Sequence, residues 1–194
     1  MDSKRRRKTM TDCSWLPTDE EEKLLRQRRG WKSKKTGEAF EEIIAHACIM
    51  YRLKGVAEIE KTPEPMKQLG AKDRKGQFRA CYQKRAQPDF KGTLHGGTSI
   101  VFEAKHTDSD RILQSVVTES QRVRLDLHWR LGAETFVLVS LGLQDFYNVP
   151  WTVWKNMQQI TGHKHMKRED LEPYRINFHK GYLRFLERTE DIES

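Results

Sequence analysis

The chain has no apolar run long enough to cross a membrane and no basic-then-apolar leader of the signal-peptide kind. A membrane-spanning protein and a secreted precursor are therefore not expected. Cysteine is scarce. Cys13, Cys48 and Cys81 are odd in number and widely scattered, which fits neither a disulfide framework nor paired zinc ligands and points to a reduced, cytoplasmic setting. His163 and His165 stand two apart in a polar stretch without a Cys or His partner at finger spacing, and read as a solvated loop or strand edge. No internal repeat is found.

What the chain has in quantity is charge. One third of its 194 residues are charged and the formal net charge is +8. The length suffices for one compact domain with a hydrophobic core. The basic excess points to a polyanionic partner, most often nucleic acid, and says nothing about the fold.

Residues 1–35 read as a basic tail, "SKRRRK", followed by a short helix with Thr18 as N-cap and Gly30 as its end. A single domain is expected over 36–190. It opens with a stronger helix in which Phe40, Ile43, Ile44, Ala47 and Tyr51 recur every three or four residues, closed by Gly55. "VAEIEK" alternates as a strand and "TPEP" breaks it. Residues 65–86 are basic, poor in core-forming side chains and punctuated by Gly70 and Gly76, so a protruding hairpin or irregular arm is expected there. A strand follows over 99–104. A second amphipathic helix is expected with Leu113, Val116, Val117, Ser120, Val123, Leu127 and Leu131 on one side. "ETFVLVSLG" reads as a strand covered on both faces, "DFYNVPWTVWKNM" as a further strand or edge, and 182–188 as a short terminal helix. This order defines a small α/β domain.

The chemistry concentrates in "QPDFKGTLHGGTSIVFEAKHT". Side chains alternate on a strand, so Glu103 and Lys105 share a face, behind the apolar run Ile100, Val101 and Phe102. Burying either charge alone costs several kcal/mol. Asp89, fourteen positions before Glu103, arrives from the preceding turn and supplies a second carboxylate. Two carboxylates at one point repel unless a cation sits between them, and Mg²⁺ suits hard oxygen donors. A lysine beside such a cation can help deprotonate a water or stabilise charge on a phosphate. "EAK" alone is weak, since such tripeptides arise by chance; Pro88-Asp89 followed by Glu103-Ala104-Lys105 after an apolar strand is stronger.

That pattern resembles the PD-(D/E)xK nuclease signature. More closely, residues 37–185 resemble the RecU-type Holliday junction resolvases of bacteria and their phages. The matching pieces are Gly37, Phe40, Glu41 and Glu42 at the helix start, then "KTPEP", "DFKG", "FEAKHT", and a Gln and a His in the next helix. The resemblance implies a restriction-endonuclease-like α/β core, with a mixed central sheet flanked by helices and a protruding basic stalk. It implies Mg²⁺ as cofactor, with Mn²⁺ able to substitute. It assigns Asp89 and Glu103 to the metal, Lys105 to the transition state, Gln121 to the metal site, and Glu41 to a helix position from which many relatives direct a carboxylate to the metal. Lys67, Lys72, Arg74, Lys75, Arg79, Lys84 and Arg85 would be the stalk's DNA contacts. A homodimer is implied, along with branched DNA and other recombination proteins as partners; helix and strand edges near 137–154 are taken as its contact surface.

Two other classes stay open at this point. One is a nuclease for flaps, forks or other branched DNA, using the same chemistry. The other is a non-catalytic DNA-binding accessory protein, against which the intact Asp89, Glu103 and Lys105 set counts.

Overall fold

The apolar runs in the middle of the chain form a six-stranded mixed sheet, and helices cover its two faces. The computed structural model describes residues 19–63, 66–71, 77, 79–82 and 87–187, with side chains outside 19–34, 66–68 and 79–82. In chain order the elements begin with α1 (Asp19–Leu53), β1 (Ala57–Lys61), β2 (Met66–Leu69), β3 (Arg79–Tyr82), β4 (Phe90–Leu94), β5 (Ser99–Thr107), β6 (Arg111–Leu113) and α2 (Glu119–Arg130). They continue with β7 (Glu134–Leu141), β8 (Asp145–Pro150), α3 (Trp151–Lys155), α4 (Met157–Thr161), β9 (His165–Lys167), α5 (Arg168–Leu171), β10 (Arg175–Ile176), β11 (Phe178–His179) and β12 (Tyr182–Leu183). The sheet order is β1-β4-β5-β7-β8-β10. β5 and β7 are parallel, joined through α2, and the other neighbours are antiparallel. The expected fold class is present.

Cross-strand aromatic pairs pin the register. Phe90, Phe102 and Phe136 are direct partners on β4, β5 and β7. Their rings stack at 5.0 and 4.6 Å, nearly parallel. α1 lays Phe40, Ile44, Ala47 and Tyr51 over this ladder, the face read from their spacing. The opposite face packs Val101, Val137 and Val139 against Leu125 of α2 and Trp151 and Trp154 of α3. A one-residue slip of β4 or β5 would turn these rings away from α1, so burial enforces the pairing. With Phe90 opposite Phe102, Asp89 is carried to the level of Glu103. β7 is buried along its length after Glu134, as its unbroken apolar run requires.

Several expectations are corrected. The first helix does not end at Gly30 but runs without a break from Asp19 to Leu53, since one interior glycine costs only about 1 kcal/mol; the Thr18 cap lies outside the described residues. The second helix starts only at Glu119. Leu113 belongs to β6 and Val116 to a 3₁₀ turn, so the inferred stripe mixed three elements, these two and α2. Its buried residue is Leu125, while Val123, Leu127 and Leu131 are exposed. β8 gives way at Trp151 to α3, and Tyr182–Leu183 pairs with Phe178–His179 instead of forming a terminal helix. β4 was not anticipated, because "FKGTLHGG" reads as loop.

Gly92 explains that strand. It pairs with Ile59, and a Cβ added there would collide with the Glu58 carbonyl oxygen and the Ile59 backbone. β1 therefore packs against β4 at a distance only glycine permits. Gly92→Ala is expected to lose about 2–3 kcal/mol of stability in urea denaturation. A loss below about 0.5 kcal/mol would contradict this close approach.

Candidate active site

β5 runs from the sheet's apolar centre towards its polar end, and the change of character falls at Glu103. Phe102 faces the aromatic ladder; the next side chain faces α2, where a carboxylate replaces the valine seen at 101. Glu103 is fully buried there. Lys105, two residues on, shares its face. Lys105 Nζ donates to Glu103 Oε2 at 2.7 Å and to Asp89 Oδ2 at 3.2 Å. Asp89 Oδ2 also accepts from the backbone N–H of Ala104 at 3.0 Å. From the first turn of α2, Gln121 Nε2 donates to Glu103 Oε2 at 2.6 Å. Four of the residues singled out in the sequence thus meet at one point.

Burial pushes the Glu103 carboxyl up to about 8; Lys105 works against that shift and Asp89 adds to it. Burial alone would depress the Lys105 ammonium, but Asp89 and Glu103 outweigh it and hold it above its ordinary value. The two partners pull in opposite directions over Glu103. Lys105 favours its ionised form, low-dielectric surroundings disfavour it, and with Asp89 as a second negative neighbour burial prevails.

Glu103 Oε1 is buried without a hydrogen-bond partner. An orphaned carboxylate oxygen beside a second carboxylate is what a hard divalent cation would satisfy. Among the described residues no group of three His, Cys, Asp or Glu side chains could hold a metal. Two carboxylates would leave the other positions to water, carbonyl or phosphate oxygens, which suits Mg²⁺. The residues fit the ion.

Glu41 lies outside this hydrogen-bonded cluster. Its carboxylate accepts from Lys61 Nζ at 2.5 Å, on the α1 side. Of the arm residues, Lys67 sits on β2 and Arg79 on β3, while Lys72, Arg74, Lys75, Lys84 and Arg85 lie outside the described residues. β2 and β3 pair antiparallel with each other, apart from the main sheet. The root of this ribbon is fixed next to the site, because Thr62 N donates to the Asp89 carbonyl at 2.8 Å. Sequence reasoning passed over Thr118, whose partner is Gln121. Its signal was present as Thr-x-x-Gln before an apolar stretch, a capping-box pattern.

The family model of Recombination protein U matches residues 35–192. The chain belongs to that family, the one its sequence resembles. Among solved structures, the Holliday junction resolvase Hjc of Archaeoglobus fulgidus, an archaeal hyperthermophile, is similar with a TM-score of 0.44 and 14% sequence identity, over 72% of this chain and 89% of that one. No curated protein matches the chain.

The raised Glu103 carboxyl has a consequence for stability. Between its ordinary value of 4.5 and about 8 the folded, metal-free protein keeps a proton that the unfolded chain releases. The unfolded state binds fewer protons in that window, so this group makes stability fall as pH rises through it. Glu103→Gln cannot ionise and escapes the penalty. Relative to wild type in EDTA, the variant should gain about 1–3 kcal/mol between about pH 5 and about pH 8.5 in urea denaturation. A difference independent of pH would contradict the shift.

Proposed function

We propose that the protein is a metal-dependent endodeoxyribonuclease that resolves four-way DNA junctions by paired phosphodiester hydrolysis, working as a homodimer in the cytoplasm. The observation that carries this reading is the contact of Lys105 with Asp89 and Glu103, the latter with a free buried oxygen. Membership of a recombination-protein family supports branched DNA as the substrate. A twofold dimer would present two identical sites to strands of like polarity, which symmetric resolution needs. No helix among the described residues is long and apolar enough to cross a membrane.

Asp89 and Glu103 would hold Mg²⁺, with Mn²⁺ as a substitute. When bound, such an ion supplies Lewis acidity at a phosphate oxygen and acidifies a water. The chain's own contribution is positional and electrostatic. Lys105, kept as an ammonium by its two carboxylates, offers Nζ to the negative charge that builds on the scissile phosphate. It is a charge-stabiliser in this setting, not a base. The Ala104 N–H holds Asp89 in place, and Gln121 does the same for Glu103. The arm would carry DNA to this point, since both its ends meet at Thr62 and Asp89. Its basic residues would contact phosphates and so recognise shape more than sequence.

The direct test is to incubate the protein with four-way junction, fork and linear duplex, with Mg²⁺ and with EDTA. Mg²⁺-dependent paired cuts in the junction are expected. Asp89→Asn and Glu103→Gln should each lower cleavage by about 100-fold or more while junction binding stays within about threefold, because affinity comes mainly from Lys and Arg. Cleavage by either variant near the wild-type rate removes the metal site.

The arm generates its own test. Lys72, Arg74 and Lys75 replaced together by Ala should weaken junction binding and reduce the slope of log affinity against log salt by about 2–3. Stability should shift by less than about 0.5 kcal/mol. A salt slope and junction preference equal to wild type would show that the arm does not read the junction.

A further inference from the structure

We infer that the β6–β9 ribbon is a second DNA-contacting surface, on which Arg111 and Lys167, with Lys164 beside them, hold backbone phosphates of the duplex flanking the scissile bond. The inference rests on the proposed function, since it takes DNA as the substrate of the Asp89, Glu103 and Lys105 cluster.

The ribbon grows out of the site. The chain leaves β5 just past Lys105 and returns to the same point at Gln121, and both of these side chains contact Glu103 Oε2. β6 lies on that excursion, and β9 pairs with it antiparallel, apart from the main sheet. Arg111 follows Lys105 by six residues (111 − 105), so the two Cα atoms are at most about 20 Å apart. That is within about six base-pair steps at the rise of about 3.4 Å along a strand. The β2–β3 arm leaves the site from β1 and β4, so the ribbon and the arm start from different strands.

Its outer face opposes like charges. Ile112 and Met166 are direct partners and both are buried, which fixes the register. Strand alternation then turns Arg111 and Lys167, also direct partners, outward, and both are exposed. Like charges directly opposite each other destabilise a strand pair. Among the described residues none of Arg111, Lys164 and Lys167 enters an ion pair, whereas the neighbouring Arg168 is held by Asp145. The nearby carboxylates serve the turns: Asp110 accepts from Ser109 Oγ at 3.2 Å and Asp170 from the Lys167 backbone N–H at 3.0 Å. His165, between these lysines, is held below its ordinary value by partial burial, then by His163, Arg111 and Lys167, against Asp170. Positive charge thus gathers on one side of the ribbon at a cost to the fold, and a row of phosphates is the chemistry that relieves it. Phosphate contacts carry no base information. The ribbon therefore grips any duplex segment, and telling a junction from a linear duplex is left to the arm.

The test measures binding of four-way junction and linear duplex DNA in EDTA, where cleavage does not intervene, together with urea denaturation. Arg111→Ala combined with Lys167→Ala is expected to weaken binding of both DNAs alike, about tenfold, and to reduce the slope of log affinity against log salt by about 2 on each. Lys167→Glu sets opposite charges across the pair. Its urea midpoint should equal or exceed that of wild type, while its DNA affinity falls at least as far as that of Lys167→Ala. A purely structural role would move stability and affinity in the same direction. Affinity and salt slope equal to wild type in the double variant would overturn the inference, as would a loss confined to the junction. A Lys167→Glu protein that loses stability and affinity together would assign the effect to folding and also overturn it. If wild type binds neither DNA, the proposed function falls and this inference with it. If wild type binds both and the ribbon variants bind equally well, only this inference falls.

Discussion

Lys105 places its ammonium 2.7 Å from Glu103 and 3.2 Å from Asp89, where leaving any one of these charges buried without partners would cost several kcal/mol. The arrangement is tolerated because each group compensates another, and it is incomplete because Glu103 keeps one oxygen without a partner. Such a cluster contributes little to folding by itself. In the proposed reaction its worth would be electrostatic: an ammonium and two carboxyl groups are held in place before a cation and a substrate arrive, so that little reorganisation would be needed.

The rest of the fold can be understood as what holds that cluster at one point. Asp89 and Glu103 come from different strands, so their meeting depends on the register of β4 against β5. The Phe90, Phe102 and Phe136 stack sets that register from the opposite face of the sheet, under α1. Gly92 allows β1 to lie close on β4, and Thr62 then ties the end of β1 to the Asp89 carbonyl. From the other side α2 brings Gln121 down on Glu103. Packing and chemistry are divided between the two faces of one strand: Phe102 serves the core, Glu103 the site.

Much of this was legible in the chain. Strand alternation alone put Glu103 and Lys105 on one face, and the three- and four-residue spacing of Phe40, Ile44, Ala47 and Tyr51 named the buried side of α1. The unbroken apolar run gave β7, and basic composition with two glycines marked out an arm, whose described part is the β2–β3 ribbon. What escaped depended on distant partners. β4 carries Gly92 and is followed by Gly96 and Gly97 in the turn to β5, so its strand character comes from β1 and β5, not from propensity. The exposed Val123, Leu127 and Leu131 imitate a core stripe, and only packing shows that Leu125 is the buried residue. Gly30 carries an end signal that the helix overrides. That Gln121 meets Glu103 through its nitrogen could not be read from residue types, since either end of the amide reaches equally far.

The proposed chemistry requires Asp89 and Glu103 to be joined by a divalent cation. Anomalous scattering from crystals of the protein grown with Mn²⁺ tests this most directly. Expected is a single strong peak, or a close pair, within coordination distance of both carboxylates and next to Lys105 Nζ, and its loss in Glu103→Gln. Crystals with Mn²⁺ at other sites and none between Asp89 and Glu103, the Lys105 ion pairs unchanged, would contradict it.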